Sequence, residues 1–190
     1  KSLGQDIVNH CVNDIIVKGG IPLYFSDYVA SDSISSDNMV YVLEGMSKAC
    51  KENDCVLIGG ETAEMPSIYK EGHYDIVGNI TGILNLKNMI NGKKDINDTD
   101  CIFGLLSEGP QTNGYSLIRY IMENVEDLGT LNLQKLVTIH KSYLKEIREI
   151  SQVCNIKGLC HITGGGYYEN IPRVIPEHLG VNLNIDILEP

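Results

Sequence analysis

Twice in this chain an apolar, β-like run breaks into consecutive glycines, and that pattern restricts the fold more than any other feature. Cys55-Val56-Leu57-Ile58 runs into Gly59-Gly60-Glu61-Thr62, and the run over 156–162 passes through Thr163 into Gly164-Gly165-Gly166. Glycines at a strand end let backbone come close to a ligand, because no Cβ stands in the way. Helical patterns lie around these runs. Ile7, Val8, Cys11, Val12, Ile15 and Ile16 recur at helical spacing, with a Ser2/Gln5 capping box before them and Gly19-Gly20 after them. Pro22 then opens a short strand, Leu23-Tyr24-Phe25, that ends in Ser26-Asp27-Tyr28. Asp37 or Ser36 can cap a second helix carrying Met39, Val42, Leu43, Met46 and Cys50 on one side, and a longer strand is predicted over 74–86. Strands and helices mixed in this way predict an α/β or α+β protein.

The stretch 85–100 is rich in Asn, Asp, Lys and Gly and lacks apolar periodicity, so it reads as a connection between two units, 1–88 and 99–190. In the second unit a strand is expected over 101–106, and a turn-rich loop over 107–114 feeds a helix through Tyr115, Leu117, Ile118, Ile121 and Met122. A helix over 133–153, a strand over 156–162, a short helix ended by Pro172 or Pro176, and an alternating strand over 181–187 follow.

With 190 residues, 43% of them apolar, the chain can bury a core. A formal charge of −10 argues against nucleic acid and anionic membrane as partners, since phosphate-rich surfaces need clustered Lys and Arg. No apolar run approaches the roughly 20 residues that cross a bilayer. Cys11, Cys50, Cys55, Cys101, Cys154 and Cys160 include no C-x-x-C pair, which predicts reduced thiols in a cytoplasmic protein. Lys1 in place of Met leads to the expectation of an upstream part.

Four polar clusters sit at the ends of apolar elements. Asn13-Asp14 continues a polar strip from Asn9 beside the apolar face of the first helix; a carboxylate there suits Mg²⁺, which prefers oxygen ligands, and equally suits a solvated face. Glu61, after Gly59-Gly60, is expected to project from a strand end, where α/β proteins place ligands, or else to sit on a plain turn. Gly109-Pro110-Gln111-Thr112-Asn113-Gly114 precedes a helix that Thr112 or Asn113 could cap, leaving N–H groups for an anion. Gly164-Gly165-Gly166, between a strand and a helix start, makes a phosphate cradle physically sensible, although it fits neither the Walker nor the Rossmann pattern. His161 at its head reads as a packed histidine or as a minor catalytic candidate.

These strings together resemble the phosphoribosylformylglycinamidine cyclo-ligase family. Gly4-Gln5-Asp6 through Cys11-Val12-Asn13-Asp14-Ile15, Pro22-Leu23-Tyr24-Phe25 and Asp27-Tyr28 are similar to its first long helix and following strand. Gly59-Gly60-Glu61-Thr62-Ala63-Glu64-Met65-Pro66 resembles its most distinctive string. Asn113-Gly114-Tyr115-Ser116-Leu117 resembles the opening of its second domain, and His161-Ile162-Thr163-Gly164-Gly165-Gly166 with Glu169-Asn170-Ile171-Pro172-Arg173-Val174 resembles a further motif.

The resemblance implies a two-domain PurM-like ATP-binding fold, truncated at both ends, and a homodimer formed through N-terminal strands. It implies ATP- and Mg²⁺-dependent cyclisation of formylglycinamidine ribonucleotide, a phosphoribosyl substrate, to aminoimidazole ribonucleotide, with release of ADP and phosphate. By the same resemblance Asp14 is the nucleotide and metal residue, Asn13, Glu61 and Asp27 are its companions, with Glu61 a second metal ligand. Asn113, Gly164, Gly165 and Gly166 would meet substrate or phosphate. Gln111, by the resemblance a catalytic position, stands where the family often carries a histidine; glutamine cannot shuttle a proton, which impairs activity if that histidine does chemistry and not if it only orients ATP. The family's Ser-Gly-Thr-Asp-Gly-Val-Gly-Thr-Lys string is expected upstream of Lys1, so the isolated stretch is expected to be inactive. The alternatives are another member of the same superfamily, such as a formylglycinamidine synthetase half, or a non-catalytic piece that folds and dimerises.

Overall fold

The computed structural model describes residues 2–125 and 133–184. Helix α1 (Ser2–Ile16) leads into strand β1 (Ile21–Ser31), helix α2 (Ser36–Glu52), and strands β2 (Val56–Glu64) and β3 (Tyr74–Ile83). The sheet order is β2-β1-β3, with β2 parallel and β3 antiparallel to β1. Both helices cover one face. Val8, Val12 and Ile16 of α1, Phe25 and Val29 of β1, and Met46, Ala49 and Cys50 of α2 form the core there. Gly4 permits the close crossing of the two helices, because a Cβ at that position would run into the backbone carbonyl of Val42.

Strand β1 is much longer than the predicted Leu23-Tyr24-Phe25. As the central strand it has ladder partners on both edges, and these carry it through the polar Ser26-Asp27. Likewise β2 does not stop at its glycines but continues through them to Glu64, with a register shift opposite Phe25/Ser26 that passes over Ile58, next to Gly59 at φ 134°. Two cap assignments also change. Ser35 caps α2, accepting from Asn38 N at 3.4 Å, and Asp37 lies in the first turn. Ser2 is already helical, so it does not stand ahead of α1 as a cap.

The second half is mainly helical and irregular. Strand β3 is followed by a 3₁₀ turn (Leu86–Asn88), α3 (Gly92–Asp95), α4 (Tyr115–Asn124), α5 (Leu133–Leu136), α6 (Leu144–Val153), α7 (Gly166–Asn170) and a second 3₁₀ turn (Ile171–Arg173). Among the described residues neither 101–106 nor 156–162 joins a sheet, nor does 181–184; the rest of that last expected strand lies outside the described residues. A β run is stable only where another strand completes its ladder, and none lies alongside these, so Ile102, Phe103 and Leu106 stay exposed.

The helix predicted over 133–153 is broken at 137–143 by side chains of α1. Asp6 Oδ1 accepts from His140 N (2.8 Å), Asn9 Nδ2 donates to His140 O (2.7 Å), Asn13 Nδ2 donates to Lys141 O (2.8 Å), and Asn13 Oδ1 accepts from Tyr143 N (3.0 Å). Backbone groups captured in this way cannot join an i→i−4 ladder. The strap so formed delivers Leu144 of α6 into the core.

Candidate functional site

The polar strip of α1 is the floor of the site. Asp6, Asn9, His10, Asn13 and Asp14 follow the i, i+3, i+4, i+7, i+8 spacing of one helix face. Asn9 and Asn13 are buried and fully engaged. Asn9 also accepts from Asn53 Nδ2 (2.9 Å), and Asn13 Nδ2 lies 3.1 Å from His140 Nε2. At the rim, the Asp14 side chain is 58% exposed, and its Oδ1 accepts from His161 Nδ1 at 2.9 Å. That hydrogen bond, helped by the charge of the neighbouring imidazoles, holds the Asp14 carboxyl below its ordinary range despite the opposing effect of burial.

His161 stands at the head of the triple-glycine loop. Asn170 wires that loop from below: its Nδ2 reaches Gly164 O (3.1 Å) and Gly166 O (2.8 Å), and its Oδ1 accepts from Arg173 Nη1 (3.2 Å). Gly165 has φ 88° and Gly166 φ 60°, and a Cβ at Gly165 would strike the Glu169 side chain, so neither position accepts an ordinary side chain without strain. A Cβ on Gly164 would lie 3.5 Å from Asn113 Oδ1, which joins the 109–114 loop to the glycine loop. In that loop Thr112 Oγ1 lies 3.3 Å from His10 Nδ1, and Asn113 Nδ2 donates to Thr112 Oγ1 (3.3 Å). Neither residue caps α4; Gly114, at φ 86°, occupies the cap position. Gln111 is left-handed at φ 56°, and its buried Nε2, although near the Tyr143 side chain, makes no well-formed hydrogen bond among the described residues. An orphaned donor of this kind is costly without a ligand to meet it.

Three of the four clusters therefore converge: Asp14, the 109–114 loop and the glycine loop. The fourth does not. Asp27 and Gly60 pair across β1 and β2, and a Cβ on Gly60 would lie 2.5 Å from Asp27 Oδ1, so both face the helices. Asp27 is buried there, which pushes its carboxyl up. Glu61 pairs with Tyr28 one residue further, and strand alternation turns it to the helix-free face, with its Oε1 accepting from Thr62 N (3.2 Å). It lies mid-strand instead of at a strand end. The reason is register: once β2 continues through its glycines, consecutive residues must point to opposite faces.

Sequence reasoning missed Asp6, His10 and His140. The α1 strip carried the signal for the first two, since both fall on the spacing that singled out Asn13. His140 had none, because its position depends on the strap. Burial lowers its pKa to about 4, and also lowers that of His10.

Comparison with known proteins places the chain. The AIR synthase related protein, N-terminal domain, matches residues 1–84, and the AIR synthase related protein, C-terminal domain, matches residues 98–190. The chain belongs to the AIR synthase related family. Its relatives include proteins named phosphoribosylformylglycinamidine cyclo-ligase: that of Alkaliphilus metalliredigens (strain QYMF) is 40% identical over 97% of this chain and 56% of its own length. That of Clostridium botulinum (strain Okra / Type B1) is 44% identical over 96% of this chain and 56% of its own. The chain thus spans about half the length of these curated relatives. Among solved structures, Escherichia coli HypE superposes with a TM-score of 0.59 at 16% identity, covering 87% of this chain and 48% of that one. The thiamine monophosphate kinase of Aquifex aeolicus superposes with a TM-score of 0.50 at 13% identity, covering 80% and 49%. At such identities the likeness shows the AIR synthase related chain to share their fold. No helix among the described residues is long and apolar enough to cross a membrane.

Proposed function

We propose that this chain is part of an ATP-dependent cyclo-ligase that closes the imidazole ring of aminoimidazole ribonucleotide during purine biosynthesis. The observation that carries the reading is the convergence of Asp14, Asn113 and the triple glycine, from three motifs well separated along the chain, in a chain 40–44% identical to proteins of that name. Residues 1–88 and 99–190 are its two domains, and the protein works as a cytoplasmic homodimer.

Asp14, ionised and open to solvent, fits a hard cation and is the ligand we assign to Mg²⁺ bound with ATP. A Mg²⁺ ion there supplies charge neutralisation to the transferring phosphoryl group. His161 orients the carboxylate. Asn13 keeps α1 and the strap in register beneath it, a positioning role. Glu61 faces away from this cleft and Asp27 lies within the packed face, so neither joins Asp14 in our assignment. Asn113, Gly164, Gly165 and Gly166 hold the phosphoribosyl substrate or its phosphate by backbone and amide donors. Gln111, with its unsatisfied Nε2, donates a hydrogen bond to the reacting oxygen without carrying its proton. In the reaction the formyl oxygen is phosphorylated and the amidine nitrogen displaces it as phosphate. A phosphate ester leaves where an amide oxygen would not, and closure within one bound molecule gains from proximity.

The test is turnover of formylglycinamidine ribonucleotide, ATP and Mg²⁺ by the full-length protein beside Asp14→Asn. We expect turnover to fall by a factor of about 100 or more, with stability changed by less than about 0.5 kcal/mol, because the side chain is half exposed. Normal turnover in the variant makes Asp14 a surface acid. A wild-type protein that hydrolyses no ATP fits the non-catalytic alternative.

A further inference from the structure

Three imidazoles far apart in the chain meet beside Asp14. His10 lies on α1, His140 in the strap and His161 ahead of the glycine loop; their ring centroids are 5.3, 5.3 and 6.0 Å apart. One nitrogen from each lies within 4.8 Å of the other two. We propose that His10, His140 and His161 form a binding site for a divalent transition metal of the Zn²⁺ type, chemically distinct from the oxygen site assigned to Mg²⁺.

The partners of His161 and His140 decide which nitrogen of each carries a lone pair. Asp14 Oδ1 accepts from His161 Nδ1 (2.9 Å), so the proton is on Nδ1 and Nε2 is open for a metal. Asn13 Nδ2 donates toward His140 Nε2 (3.1 Å), which makes Nε2 the lone-pair nitrogen; on loading, the amide gives up this bond and keeps its 2.8 Å bond to Lys141 O. His10 Nδ1 is 3.3 Å from Thr112 Oγ1, and its other nitrogen faces Asp14 Oδ2 at 3.8 Å. A carboxylate bonded to the far nitrogen of a ligating histidine fixes the tautomer and raises ligand basicity, and Asp14 stands in that position toward His161. Its negative charge also offsets part of the charge of the ion. Neutral imidazoles suit Zn²⁺, Co²⁺ and Ni²⁺, whereas Mg²⁺ selects oxygen. Metal–nitrogen bonds of about 2.0–2.1 Å in a tetrahedral site put ligand nitrogens roughly 3.3 Å apart. The three nitrogens that lie within 4.8 Å of one another must therefore close by roughly 1.5 Å at most, within the reach of χ rotation for the two rings that are not fully buried. Three histidines and one open position form the ligand set of a reactive, not a closed structural, zinc site.

Cobalt(II) titrated into the purified full-length protein without ATP, in the presence of excess Mg²⁺, tests this. The expected result is a single saturable site with the intense visible bands of a four- or five-coordinate ion, displaced by Zn²⁺ and indifferent to Mg²⁺. His10→Gln and His161→Gln should abolish the bands, and Asp14→Asn should weaken binding about 10–100-fold. These three positions are partly exposed, and circular dichroism checks that each variant keeps its fold. A faint six-coordinate spectrum, displacement by Mg²⁺, or unchanged affinity in both histidine variants overturns the proposal. If a variant loses its fold, the wild-type spectrum and Mg²⁺ competition decide alone. The readout needs no turnover, so it stands or falls separately from the cyclo-ligase reading.

Discussion

Replacing Asn13 with alanine should free the 141–143 end of the strap from α1, while Asp6 and Asn9 still hold it at His140, and the structure gives the magnitude. The Asn13 side chain makes hydrogen bonds to His140 Nε2, Lys141 O and Tyr143 N. Each such bond contributes about 0.5–1.5 kcal/mol net, and a buried group left without a partner costs about 1–3 kcal/mol. The Lys141 and Tyr143 backbone groups are partly buried, so water can replace some of what is lost. A destabilisation of about 2–4 kcal/mol follows, well above the ~0.5 kcal/mol of an ordinary surface change. Urea unfolding of wild type and Asn13→Ala measures the total, and native-state hydrogen exchange at the Tyr143 amide measures where it arises. That amide should exchange markedly faster in the variant while amides of central β1 slow or quicken only with global stability. A stability change under about 0.5 kcal/mol, or an unaltered Tyr143 amide, would refute the idea that Asn13 organises the strap. Asp14, the next residue, is the internal contrast: its change to Asn should leave stability nearly untouched.

Acid should loosen the same region. The folded pKa of His140, about 4, lies below its ordinary 6.5, so the unfolded chain binds the proton more readily. Stability is then full above about pH 6.5 and falls as pH drops toward 4, and His10, lowered in the same direction, adds to the loss. Urea midpoints at pH 7.5, 6 and 5 should descend in that order, and His140→Gln should flatten the series. Gly4→Ala should cost about 1–3 kcal/mol in a thermal melt, because the new methyl meets the Val42 carbonyl and the helices must separate; an unchanged midpoint would mean the crossing is looser than the structure has it. Thiol reagents should modify Cys101 and Cys154 first and Cys160 slowly. They should leave Cys11, Cys50 and Cys55 until unfolding, since these are buried and burial pushes the first two thiols to about 11 and about 12. Peptide mapping by mass spectrometry would show the order.

Periodicity in the sequence determined the helices of the first half and their buried faces. Val8, Val12, Met46 and Cys50 point inward because the 3.6-residue repeat leaves only one apolar stripe to bury. The triple-glycine string and the α1 strip likewise marked residues that the structure brings together at the candidate site. Strand length and facing were decided by tertiary structure. Partners on both sides of β1 extend it past Phe25, and the continuation of β2 through Gly59-Gly60 turns Glu61 away from Asp14. No local pattern encodes a ladder partner, so the runs over 101–106 and 156–162 read as strands although among the described residues none pairs with them. The breaking of the 133–153 helix had the same origin. Its own residues favour helix, but Asp6, Asn9 and Asn13, more than a hundred residues away, take its backbone groups, and that capture also brings His140 to His10 and His161.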